Sequence, residues 1–193
     1  MEYYTLRHES TDGRFIDGDV EFFPALKDYY QVGRGKIDAE TKVSLVLDKR
    51  VKKLKSDFFL TTCGAFFVSE EMKILLSEHN NDLDFFEANA SYFSGKLTEK
   101  TYFLIHASSK LKCFDYQSSE YSGKSMVLSK ISNGELPDDY KVRGVKKLCI
   151  EMREAIELDF FFIDEVIWID PLISETLADD AKSKKLFLNI EKV

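Results

Sequence analysis

The chain has 193 residues, 44% of them hydrophobic and 32% charged, and carries a formal net charge of −7. That length suits one domain spanning 1–193, or two lobes of about 1–96 and 97–193, and can bury a core without disulfides or metals. With 9 Gly and 3 Pro it is neither collagen-like nor a low-complexity disordered chain, and its acidity opposes nucleic acid while favouring a basic partner.

The N-terminus, Met1-Glu2-Tyr3-Tyr4-Thr5, lacks the basic region and apolar run of a secretory signal. No apolar stretch of about 18 residues follows, so we expect no membrane contact and a cytoplasmic location. Thr11-Asp12-Gly13 and Asp17-Gly18-Asp19 read as turns, and Val43–Leu47 as a strand. Lys49–Lys55 holds five cations in seven residues. It reads as a solvated helix face or a lysine-protected edge strand, with a phosphate-binding stripe as the alternative.

Phe58–Leu60 and Ala65–Val68 are strand-like. Ser69 is a good N-cap, with Glu70 and Glu71 placed for the helix dipole. Met72, Leu75, Leu76 and His79 share one helical face, on which His79 reads as a satisfied, partly buried histidine. Asn80-Asn81 ends that helix. Leu83–Ala90 reads as a strand, Thr101–Ala107 with Leu111–Phe114 as a hairpin, and Met126–Ile131, Val145–Met152 and Leu158–Ile163 as further strands. Within Phe160-Phe161-Phe162, alternation sends the middle ring to the opposite side from its neighbours.

Val166–Ile169 is another strand. Asp170 with Pro171 opens a second helix with Ile173, Leu177 and Ala181 on its apolar side, and Leu186–Ile190 closes the chain. Setting Ser69 over Asp170 yields two related strand-helix-strand units. The expected fold is α+β, mainly antiparallel strands with two principal helices. The odd, widely spaced Cys63, Cys113 and Cys149 read as buried free thiols in a reducing compartment.

Each near-motif lacks a part. Ser122-Gly123-Lys124-Ser125 looks like the tail of a phosphate-binding loop, but Ser118 stands where that loop needs its first Gly. Met126-Val127-Leu128 then reads as a strand where the motif demands a helix. Gly33-Arg34-Gly35-Lys36 is a charged turn. His8, His79 and His106 have no second ligand at metal spacing. Pro137-Asp138 followed by Glu151-Met152-Arg153 imitates a metal-dependent nuclease with Arg in place of Lys, and Arg presents a fork with no accessible neutral form. No catalytic residue, metal or cofactor is therefore expected. The alternatives are a small enzyme whose site assembles from distant residues, or an interaction module of a phage or secretion apparatus.

Carboxylates beside aromatics remain: Asp138, Asp139 and Tyr140; Glu157 and Asp159; Asp164 and Glu165 near Trp168; Asp179 and Asp180. Aromatic anchors among carboxylates suit recognition of a basic protein surface, and these residues are the candidate contact set.

Asp57-Phe58-Phe59, Asp84-Phe85-Phe86-Glu87, Tyr102-Phe103-Leu104-Ile105-His106 and Phe114-Asp115-Tyr116-Gln117-Ser118-Ser119 together resemble bacterial immunity protein family eleven, a neighbour of family forty-three. The last of these is similar to that family's hydrophobic–Asp–x–x–x–Ser signature. The C-terminal strand, helix and strand resemble the family's ending, except that Lys184-Lys185 replaces the expected Gly. The first 50 residues carry none of these motifs. The resemblance implies a non-catalytic protein that binds a cognate toxin, with Asp115 and Ser119 in structural roles.

Overall fold

The computed structural model describes residues 2–8, 16–151 and 157–193; the turn expected at Thr11-Asp12-Gly13, together with Met152 and Arg153, lies outside them. Among the described residues the elements are β1 (Tyr3–Arg7), β2 (Gly18–Phe23), β3 (Lys42–Leu47), β4 (Phe58–Leu60), β5 (Phe66–Ser69), α1 (Glu70–Ser77), β6 (Leu83–Tyr92) and β7 (Tyr102–Ala107). Then come α2 (Lys124–Ser132), β8 (Phe160–Phe161), β9 (Leu172–Ser174), α3 (Glu175–Ser183) and β10 (Asn189–Lys192). The fold is α+β. The strands form a six-stranded sheet, β2-β3-β6-β7-β5-β4, and a four-stranded sheet, β10-β1-β9-β8. Every named pair is antiparallel except β3 with β6.

Strand alternation distributes side chains among three apolar clusters. In β7, Phe103 and Ile105 face one cluster while Tyr102 and Leu104 face another on the opposite side of the sheet. Phe66 and Val68 of β5 join the first, and Phe67 the second. Both strands are buried along their whole length, so their sequences read as unbroken apolar runs. In the four-stranded sheet, Phe160 and Ile173 point to the first cluster, Phe161 and Leu172 to a third. The triple phenylalanine therefore divides as alternation requires, with Phe162 back beside Phe160.

The first cluster also receives both capped helices. Met72, Leu75 and Leu76 of α1 and Leu177, Ala178 and Ala181 of α3 enter it, and the two helices touch. α1 lies on β5 and β7, α3 on β9 and β1. The two units are related in detail. β5 and β6 both flank β7 antiparallel, and β9 and β10 both flank β1 in the same way. Each helix thus connects two parallel strands that have a third strand inserted between them.

Their register is not the one expected. The structural counterpart of Ser69 is Ser174, not Asp170: each serine ends a strand and accepts a hydrogen bond from a backbone N–H three residues on, at 3.2 Å. Asp170 is occupied elsewhere. It accepts from the His8 backbone N–H at 2.9 Å, contacts the His8 ring and pairs with Arg7 at 3.1 Å. Leu172–Ser174 meanwhile pairs with β1, and this pairing keeps the chain extended past Pro171.

α3 ends in a Schellman turn, with Leu186 N–H bonded to Ala181 O at 3.2 Å and Lys185 N–H to Lys182 O at 3.0 Å. Lys185 has φ +57°, a left-handed conformation at the position where the expected Gly was missing. A side chain there costs about 1 kcal/mol. Lys185→Gly is therefore expected to stabilise the protein by about 0.5–1 kcal/mol, read as a rise in the urea midpoint at constant m-value. Unchanged or lowered stability would mean that Lys185 makes a compensating contact.

Three local expectations are corrected. Met126–Ile131 is helical: Val127 is buried, Lys124, Leu128 and Lys130 are half-buried, and the spacing is that of a helix face. A short apolar run does not distinguish strand from helix. Thr101–Ala107 and Leu111–Phe114 form no hairpin, because β7 is taken between β5 and β6. Leu111 bridges Ile163 instead, and Phe114 bridges Ile150. Among the described residues, the expected strands at Val145–Met152 and Val166–Ile169 are reduced to isolated bridges through Lys147, Ile150 and Val166.

Candidate functional site

A cleft of about 1060 Å³ is assembled where the chain crosses between the two sheets. Its apolar floor is built from Val32, Leu60, Phe66, Phe162 and Val166, with Trp168 in the wall. Ile167 and Ile169, on either side of Trp168, line the cleft with side chains more than half exposed.

Backbone bonds set its edges. Gly33 N–H donates to Ala107 O at 2.8 Å and Gly35 N–H to Ser108 O at 2.9 Å, docking this loop on the end of β7. His106 reinforces it, Nε2 donating to Gly35 O at 2.7 Å. Glycine is required at Gly33 twice over. Its φ is +84°, and a Cβ would stand 2.5 Å from Cγ of Lys110. The opposite edge is the β4–β5 turn, closed by Gly64 N–H to Thr61 O at 2.9 Å.

The cleft is positive although the protein is acidic. Arg34, Lys110 and Lys141 line it and, among the described residues, are opposed by the single carboxylate Asp164, which is ion-paired with Lys141. Burial pushes the Lys110 ammonium below its ordinary range, Asp164 opposes that, and Lys141 adds to it. Among the described residues neither Lys110 nor Arg34 has an ion-pair partner. The Trp168 indole N–H is buried without an acceptor among the described residues. His8 also lines the cleft, its Nδ1 held by Asp170. The cleft thus has the convergent polar groups and shifted lysine expected of an assembled site.

The candidate contact carboxylates fall in three places. The carboxylates of Asp159 and Asp180 and the backbone of Glu157 gather around His79 and Asn80. Asp180 lies 3.1 Å from His79 Nε2 and Asp159 3.4 Å from Nδ1, while Asn80 Nδ2 donates to Glu157 O at 2.9 Å. Asp159 also accepts from Ser174 Oγ and, at 3.0 Å, from Asn80 N–H. Burial raises its pKa, but these bonds and His79 more than offset that and hold the carboxyl below its ordinary range. Asp179 is exposed nearby on α3, 3.0 Å from Lys182.

Asp138 and Asp139 are exposed and Tyr140 half-buried, just before Lys141 and its partner Asp164. Glu165 has turned inward, accepting from Phe114 N–H at 3.0 Å, with φ +49°. His79 is satisfied by carboxylates, as its place in the sequence suggests.

Asp115 and Ser119 are structural. Asp115 accepts from the N–H groups of Gln117 and Ser118 at 2.9 and 2.8 Å, and the hydrogen bonds from Ser118 do most to hold its pKa low. Ser119 donates to Cys149 O at 3.1 Å and accepts from Cys149 N–H at 2.9 Å, stapling two distant segments.

Ser122–Ser125 does open a helix, so one ground for setting it aside falls. The absent glycine at Ser118 stands, and Lys124 Nζ donates to the carbonyls of Gln117 and Ser119. Lys49–Lys55 is neither helix nor strand, and Arg50 pairs with Asp48 and Asp17. Of the three thiols expected to be buried, only Cys113 is; Cys149 is half-buried and Cys63 exposed on the β4–β5 turn, both free.

Among the described residues no group of three or more His, Cys, Asp or Glu could hold a metal ion, and no helix is long and apolar enough to cross a membrane. The cleft escaped sequence reading because its walls come from segments spread between His8 and Ile169. Two traces of it were visible: Gly33-Arg34-Gly35 and the alternating Ile167-Trp168-Ile169.

No curated protein matches the chain. A family model, that of the Immunity protein family (Imm11), matches residues 4–159. The match takes in the N-terminal region where no motif was read, and it stops before the closing β9-α3-β10 unit. Spanning more than three quarters of the sequence, this match shows that the chain belongs to the Immunity protein family (Imm11).

Proposed function

We propose that this protein binds a cognate antibacterial toxin in the bacterial cytoplasm and neutralises it by covering its functional surface, without catalysing a reaction. Family membership over residues 4–159 is the observation that carries this reading. The net charge of −7 and the exposed Asp138, Asp139, Glu157 and Asp179 support a basic toxin surface as the partner. Asp159 and Glu165 act from behind, holding the segments that present the exposed carboxylates. In this mechanism acidic side chains stand where the toxin receives its anionic substrate.

The test is a titration of the purified neighbouring toxin with this protein. Occlusion predicts that toxin activity falls linearly and ends near one molar equivalent, with a stable complex on gel filtration. A second reading, an enzyme that inactivates the toxin, draws on the cleft with His8 and Lys110. It predicts time-dependent loss of toxin activity at far below one equivalent. Absence of both protection and complex at micromolar concentration overturns the immunity reading.

A further inference from the structure

We infer that the cleft between the sheets is a second, oppositely charged docking site, which accepts an acidic segment of the partner carrying an aromatic or aliphatic side chain. This inference rests on the immunity reading and adds the chemistry of one contact. Two independent features of the cleft agree on the occupant.

The first is charge. Among the described residues Lys110 and Arg34 line the cleft without ion-pair partners, and the carboxylate that lines it with them, Asp164, is already held by Lys141. Lys110 is held in place by its stem, which packs over Gly33 where any side chain would collide with it. A desolvated cation fixed in this way gains from an incoming carboxylate, since the solvent that would compete is already partly excluded. The lowered Lys110 pKa has the same cause and would be reversed by that carboxylate.

The second is shape. About 1060 Å³ is at or above the upper limit of small-molecule pockets, about 300–1,000 Å³. Beneath the cations lies a floor of Val32, Leu60, Phe66 and Phe162, which suits a large apolar side chain. The apolar lining extends to Ile167 and Ile169, 57% and 55% exposed, which a small anion bound at the cations would leave uncovered. An extended protein segment covers both.

A positive cleft beside acidic surfaces gives the interface both signs. Charges of both signs admit one register and penalise others, since a shifted or reversed partner brings like charges together.

The protein supplies its own reporter, because Trp168 is its only tryptophan and lines the cleft. The probe is a library of terminally blocked hexapeptides with one Phe, Leu or Trp-free aromatic among three Asp or Glu, read by Trp168 emission at low salt. A matched library replaces the acids with Lys. We expect saturable emission changes from acidic members, weakened as salt rises and at least tenfold in Lys110→Glu. Lys96→Glu, on the exposed turn after β6, is the control that leaves binding unchanged.

The proposal is overturned if no acidic member binds below millimolar concentration. It is equally overturned if the lysine library binds as well, or if acetate alone reproduces the change at the peptide's concentration, which would indicate a small-anion site. Peptide binding needs no toxin. Failure here with stoichiometric protection intact would remove the cleft contact alone, whereas loss of protection would remove the immunity reading itself.

Discussion

Phe66→Ala is expected to lower the stability of this protein by about 3–5 kcal/mol. Phe66 is 3% exposed, its ring 5.4 Å from Phe58 and 5.1 Å from Phe162. It sits where β5 meets the segment entering the four-stranded sheet, so the cavity left by its removal is shared by both sheets and collapses poorly. For a chain of this length the loss corresponds to a fall of roughly 10 °C in melting temperature. Calorimetry or urea unfolding measures it, with Phe23→Ala, at a 53% exposed site on edge strand β2, as the comparison. If the two variants lose similar stability, the first cluster is not the common core. Because Phe66 also lines the cleft, a destabilised but folded variant should bind the acidic peptides less well.

Asp57→Ala carries the second largest expected effect, about 3 kcal/mol. Its side chain is 1% exposed. One oxygen takes the Lys100 ammonium, and the other accepts the Phe187 backbone N–H at 2.7 Å. Its own backbone accepts from Ser69 N–H at 3.0 Å and donates to Phe187 O at 3.2 Å. One residue thus joins the start of β4, the cap of α1 and the segment leading into β10. Alanine leaves the part-buried Phe187 N–H without its acceptor and the Lys100 ammonium without a counter-charge. The Lys100 side chain is 27% exposed, so water offsets part of the charge loss, and the Phe187 hydrogen bond carries the rest. Asp57→Asn, which keeps an acceptor for Phe187, should therefore recover more than half of the loss. Thermal unfolding of both variants checks this, and equal losses would show that the ion pair governs instead.

The elements that were legible in the sequence are those whose burial repeats at short range. α1 is an example. Ser69, Glu70, Met72, Leu75 and Leu76 carry its cap, dipole charge and apolar face within eight residues, and the helix forms where that pattern lies. β3 and β5 were similarly readable. α2 was not, because its only fully buried residue is Val127, and three apolar residues in succession imitate a strand. The start of α3 was misplaced for a different reason. Asp170 has the chemistry of a cap, but Arg7 and His8, more than 160 positions away, claim its carboxylate. Ser174, with the same chemistry, was left to cap the helix.

The sequence by itself determined the class, the mixture of strands and capped helices, the family likeness, and the structural role of Asp115. Each of these rests on residues a few positions apart, whose relative placement is set by backbone geometry alone. Only the tertiary structure decided which carboxylates face solvent and which brace the fold, and only it brought Arg34, Lys110, Asp164 and Trp168 together around one cleft. Pairing between distant strands and the closing of loops over them are long-range events. Their outcome is set by the summed burial of the whole chain, and no local pattern records it.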